Sequence, residues 1–98
     1  MSTKEAYKQK IEAEVELAQA KVAELKAGAK NSAADARIEY ENQIEELEQK
    51  IHTTKTKLKE LSEASEDAWE HLKDGVESAW GKLSSAVQDS ATRLKNKI

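Results

Sequence analysis

The chain contains no cysteine, no proline and no phenylalanine, and only three of its 98 residues are glycine. The lack of cysteine excludes a disulfide framework and a thiolate metal site. Leu, Ile and Val together number only 17, too few to fill a broad globular core. No run approaches the roughly 18 consecutive apolar residues that a membrane span requires. Met1–Ala6 has no apolar stretch of the kind that opens a secretory signal, so the expected location is cytoplasmic. With 16 basic against 19 acidic side chains the net charge is −3. That balance lacks the excess of cations that displaces counterions from phosphates, so no nucleic-acid partner is expected.

What is abundant is equally informative. Ala, Glu, Lys, Leu and Arg supply 54 of the 98 residues, the composition of long helices and coiled coils. The apolar positions follow helical spacing. Ile11, Val15, Ala18, Val22, Leu25 and Ala29 are separated by steps of 4 and 3, a narrow seam on an otherwise polar helix. The seam passes through Ala33 and Ala36 and resumes as Tyr40, Ile44, Leu47, Ile51, Thr54, Leu58 and Leu61. The steps of 4 and 4 across Ala36, Tyr40 and Ile44 relax a left-handed supercoil locally without stopping the helix.

The last third follows another period. Trp69, Leu72 and Val76 return eleven residues later as Trp80, Leu83 and Val87, then as Ala91, Leu94 and Ile98. An 11-residue repeat gives a nearly straight stripe along a helix. The best place for a break is Leu61–Asp67: Lys55, Lys57 and Lys59 precede it, and Ser65 is placed to cap a new helix with Glu66 and Asp67 in its first turn. Gly28–Ser32 is a second candidate.

These features predict an all-α chain: a long amphipathic helix within residues 1–62, a turn at 63–66, and a second helix over 67–98 packed back antiparallel. The alternatives are one continuous helix ~150 Å long and three helices broken near residues 28 and 64. A fold-back near residue 64 brings Glu70 toward Lys57 and Lys59, Glu77 toward Lys50, Lys82 toward Glu45 and Glu46, and Arg93 toward Asp35. Such pairs set orientation more than stability. The hairpin leaves the seam from Ile11 to Ala29 uncovered, which predicts a homo-oligomer closed along Ile11–Leu61.

The segment Ser65–Trp80 (SEDAWEHLKDGVESAW), with Ala36–Tyr40 before it, resembles a group of small bacterial coiled-coil proteins of unknown function. The resemblance implies a small bacterial protein and brings no catalytic or binding residue with it. The 11-residue repeat is similar in style to late-embryogenesis-abundant and apolipoprotein-like helices.

Chemistry-bearing residues are sparse. His52 and His71 each follow an acid by four residues, Glu48 and Asp67; such pairs are common on helix surfaces, and no HExxH motif supports a metal. The acids from Glu39 to Glu48 fan outward around one helix, unlike the converging oxygens a divalent cation needs. Ser84, Ser85 and Ser90 have no neighbouring base in sequence and read as polar-face residues. No enzyme activity, metal or cofactor is expected. Two readings follow. One is a self-associating scaffold, whose partners are itself and other helical proteins. The other is reversible binding to an anionic membrane or hydrophobic particle, possible in stress protection, through Trp69, Leu72, Val76, Trp80, Leu83, Val87 and Leu94, aided by Arg93, Lys95 and Lys97.

Overall fold

The seam that runs along the first 62 residues is folded onto itself. The computed structural model describes the backbone of residues 3–97 and the side chains of residues 3–93. The described residues form three helices and no strand: α1 (Thr3–Lys30), α2 (Ala34–Glu63) and α3 (Trp69–Lys97). The expected unbroken helix to residue 62 is thus two helices, separated at residues 31–33.

No glycine or proline terminates α1, and none of the described residues adopts positive φ. Backbone and side-chain donors end it together: the N–H groups of Asn31 and Ser32 donate to the Gly28 and Ala29 carbonyls at 3.2 and 3.3 Å. Asn31 Nδ2 donates to the Ala27 carbonyl at 3.0 Å and Ser32 Oγ to the Gly28 carbonyl at 2.6 Å. Arg37 reaches back from the first turn of α2, its Nε donating to the Ala29 carbonyl at 3.2 Å. The carbonyls that a helix end strands are therefore occupied. Ala33, in extended conformation at φ −65° and ψ 162°, leads into α2 without a side-chain cap.

The second break falls near the expected place, but α3 starts at Trp69 rather than 67, with Glu70 in its first turn while Glu66 and Asp67 lie in the turn before it. Ser65 Oγ accepts from the Ala68 N–H at 3.2 Å, and the Ser65 carbonyl accepts from the Ala68 and Trp69 N–H groups. Lys4 of α1 closes the preceding helix end, its Nζ donating to the Ala64 carbonyl at 2.9 Å and the Ser62 carbonyl at 3.4 Å. A cation there also complements the negative end of the α2 dipole.

α2 is the shared partner. α1 and α3 each pack along it, antiparallel, and touch each other little. The bundle measures 52 × 19 × 17 Å. All six α1 seam residues, Ile11 to Ala29, are at most 8% exposed within the single chain. Tyr40, Ile44, Leu47, Ile51, Leu58 and Leu61 join them in one cluster with Trp69, Val76, Leu83 and Ala86. The uncovered seam from which a partner was expected is therefore covered by α2.

The packing repeat of α3 is seven, not eleven. Trp69, Val76, Leu83 and Ser90 are its most buried row, at 4% exposure or less. Leu72, Trp80 and Val87 are only half-buried. Buried rows on α2 also recur every seven residues, at Leu47, Thr54 and Leu61, all fully buried. Two helices crossing at a shallow left-handed angle keep a seven-residue row in contact over several turns, whereas an eleven-residue row drifts the other way. The Leu94 side chain, with Lys95, Lys97 and Ile98, lies outside the described residues.

Glycines divide by what surrounds them. A Cβ on Gly28 would lie 2.8 Å from the Tyr40 ring, while Gly75 and Gly81 have open space around that position. Gly75→Ala and Gly81→Ala are each expected to stabilise the protein by about 0.5–1 kcal/mol through helix propensity. Gly28→Ala is expected to gain less or to destabilise, because the ring must move. Urea unfolding of the three variants separates these outcomes.

Candidate functional site

The chemistry of this chain concentrates at two places where helices meet. The first joins α1 to α3. Tyr7 lies four residues before Ile11 and continues the seam by one step. Its ring packs against Trp69 with centroids 6.0 Å apart, tilted by 39°. Lys73 Nζ lies 5.2 Å from the Tyr7 ring centre and 5.9 Å from that of Trp69, a distance at which a cation gains from aromatic faces. The Tyr7 hydroxyl is 3.5 Å from the Lys73 carbonyl.

Burial, followed by the negative charge and hydrogen bonding of Glu77 and then the charge of Asp74, pushes the Tyr7 phenol from 10.0 up to about 12. Each of these disfavours the phenolate. The junction therefore holds a neutral tyrosine throughout the ordinary pH range.

The second place is a polar layer inside the α2–α3 interface. Ser90 is 1% exposed and Gln43 is 3% exposed. Ser90 Oγ donates to Gln43 Oε1 at 2.8 Å, and Gln43 Nε2 donates to Glu39 Oε1 at 3.2 Å. Thr54, fully buried, donates to the Lys50 carbonyl at 2.8 Å. No buried side-chain N or O among the described residues lacks a partner. A satisfied polar pair in an apolar seam penalises register slips, since any slip strands both groups.

The register this pair fixes differs from the one expected from charge: a fold-back at residue 64 would set Gln43 opposite Ser85, and it meets Ser90 instead. Glu46 and Lys50 of α2 share a surface cleft with Ser78, Lys82 and Asp89 of α3. Ion pairs within 4 Å among the described residues include Lys21–Glu24, Lys26–Glu48, Lys50–Glu46 and Lys57–Glu60. Of these four only Lys26–Glu48 joins two helices, α1 to α2. Of the α2–α3 pairs expected from the fold-back, Lys82 and Glu46 border the same cleft, and none of the expected pairs is among these four ion pairs.

His52 and His71 are exposed, and no group of three or more His, Asp or Glu among the described residues is arranged to hold a metal. Glu41, Glu45 and Glu48 line the outer face of α2 with His52, in an open hollow rather than a converging site. Of the three serines, Ser85 is exposed, Ser84 half-buried and Ser90 in the polar layer. Between α1 and α2 runs an open trough of about 350 Å³ bordered by Lys8, Glu12, Glu16, Lys55 and Lys59. It carries both signs of charge and no nucleophile–base pair.

Among the described residues, no helix is long and apolar enough to cross a membrane. Compared with protein-family models, with curated proteins and with solved structures, the chain matches none.

The junction gives a pH test. A phenol that holds its proton more tightly in the folded state contributes stability that is intact below pH 10 and is lost as pH rises through about 12. Tyrosinate absorbance of the Tyr40→Phe protein is expected to rise late, near pH 12. Glu77→Gln is expected to bring that rise to lower pH. Titration at the ordinary tyrosine value would contradict the junction.

Proposed function

We propose that this chain is a non-enzymatic helix-pairing module that self-associates and serves as a scaffold. The observation that carries the reading is the α1–α2 interface. It is built from two heptad-spaced seams, Ile11–Ala29 and Tyr40–Leu61, on helices bearing mixed charge on their outer faces. Seams of this kind are the means by which helices recognise helices. The rest of the surface is also helical: the trough between α1 and α2 is open and mixed in charge, and the outer faces expose Leu17 and Ile38 at 67% and 60%.

Association stabilises by mass action. The melting temperature followed by circular dichroism is therefore expected to rise over a hundredfold increase in protein concentration. A midpoint independent of concentration, with a monomer throughout sedimentation, contradicts the reading.

A second reading rests on a separate observation. The apolar stripe of α3 is covered mainly by α2, since α1 reaches α3 little beyond the Tyr7–Trp69 junction. Leu72, Trp80 and Val87 stand half-exposed at its edge. Release of α3 at the 64–68 turn would offer Trp69, Leu72, Val76, Trp80, Leu83 and Val87 to an anionic lipid surface, where Trp is favoured. A blue shift of Trp emission on addition of anionic vesicles is the expected result. No shift at saturating lipid removes this reading.

A further inference from the structure

We infer that the turn at residues 31–33 is a hinge through which two copies of the chain exchange α1, forming a closed, two-fold symmetric dimer. The inference rests on the self-association proposed above and specifies how it occurs.

Three observations carry it. First, the seam does not stop at the turn: Leu25, Ala29, Ala33, Ala36 and Tyr40 continue at helical spacing across it. Second, nothing in the turn requires a bend. It has no glycine, no proline and no positive φ. Ala33 already has a φ of −65°, so at this residue the passage from turn to helix is a change of ψ alone, from 162° to about −42°. Third, the turn keeps its backbone donors close to their places in a straight helix: the N–H groups of Asn31 and Ser32 donate to the Gly28 and Ala29 carbonyls at 3.2 and 3.3 Å, and side chains add to them. The carbonyls of Ala27, Gly28 and Ala29 accept from Asn31 Nδ2, Ser32 Oγ and Arg37 Nε. In a continuous helix the backbone N–H groups of Asn31, Ser32 and Ala33 would serve those same carbonyls. Straightening the turn thus moves the N–H groups of Asn31 and Ser32 back by one carbonyl each, from Gly28 and Ala29 to Ala27 and Gly28, and frees the three side-chain donors.

The antiparallel packing of α1 on α2 completes the argument. When the hinge straightens, α1 leaves its own α2, and a second straightened copy laid antiparallel across residues 31–33 brings its α1 to the vacated face. Ile11–Ala29 then meet the same α2 side chains as before, and Lys4 and Tyr7 arrive at the same 64–73 junction. α3 stays on its own α2, held by Gln43 and Ser90. Exchange of an identical element reproduces the interface with a second copy at little cost.

Asn31→Ala/Ser32→Ala/Arg37→Ala removes the side-chain donors and puts good helix formers at the hinge. It is expected to raise the dimer fraction, measured by light scattering after melting and slow cooling, by at least about tenfold. Ala33→Pro keeps the turn's φ but blocks a continuous helix, by clashing with the carbonyl four residues back. It is expected to remain a folded monomer.

Thiols at Lys26→Cys and Glu48→Cys report the connectivity, because those side chains face each other across α1 and α2 at 3.6 Å and the chain has no other cysteine. A short bifunctional thiol crosslinker applied to the isolated dimer is expected to join two chains. Crosslinks that stay within each chain of a dimer would overturn the exchange and leave self-association standing. Absence of a dimer in the wild type and in the triple variant would overturn both.

Discussion

A helix that ends without glycine or proline must find donors for its last carbonyls, and the rest of this fold depends on how α1 does so. Asn31 and Ser32, each with its backbone N–H and its side chain, and the Arg37 guanidinium supply them. The chain then reverses, the seam from Ile11 to Ala29 closes on α2, and Lys4 reaches the far end of α2 to occupy the carbonyls of Ser62 and Ala64. Lost hydrogen bonds at the turn would cost about 0.5–1.5 kcal/mol each. The apolar burial they direct is many times larger, since each fully buried large aliphatic side chain contributes about 1.5–3 kcal/mol. The turn does little stabilising of its own; it chooses which helix provides the burial.

α2 bears the consequence. It packs with α1 on one side and α3 on the other, and its innermost residues, Leu47, Thr54 and Leu61, are wholly enclosed. That arrangement explains why a helix so rich in Glu and Lys holds a long buried row. It also encloses the polar layer: Gln43 and Ser90 are buried in the α2–α3 interface, with Ala86 one turn from Ser90 on α3. The aromatic junction of Tyr7, Trp69 and Lys73 ties α1 to α3 at one end of the molecule.

Much of this was legible in the residues. Spacing alone picked out Ile11–Leu61 as a buried seam, because heptad burial leaves a periodic mark whatever the partner helix is. Ser65 announced the second turn because a capping hydroxyl followed by acids is a local signal. The first turn was harder to read, since one of its donors, Arg37, belongs to the following helix. Gln43 and Tyr7 were passed over, and Ser90 was read as a polar-face residue, although each lies at a seam spacing from Leu47, Ile11 or Leu83. A polar or aromatic residue at such a position is ambiguous until its partner on another helix is known. The eleven-residue repeat of α3 is real in sequence, yet contact with α2 selects a seven-residue row from it.

The central claim is that α1 turns back at residues 31–33 to lie on α2. Spin labels at Gln9 and Lys59, both exposed, test it most directly when the labelled chain is diluted into dilute unlabelled protein, conditions that favour the single-chain fold. The fold-back places the two positions side by side, and the account expects a short distance, within the span of two packed helices. A distance near 75 Å, as for an unbroken helix rising 1.5 Å per residue, would contradict it.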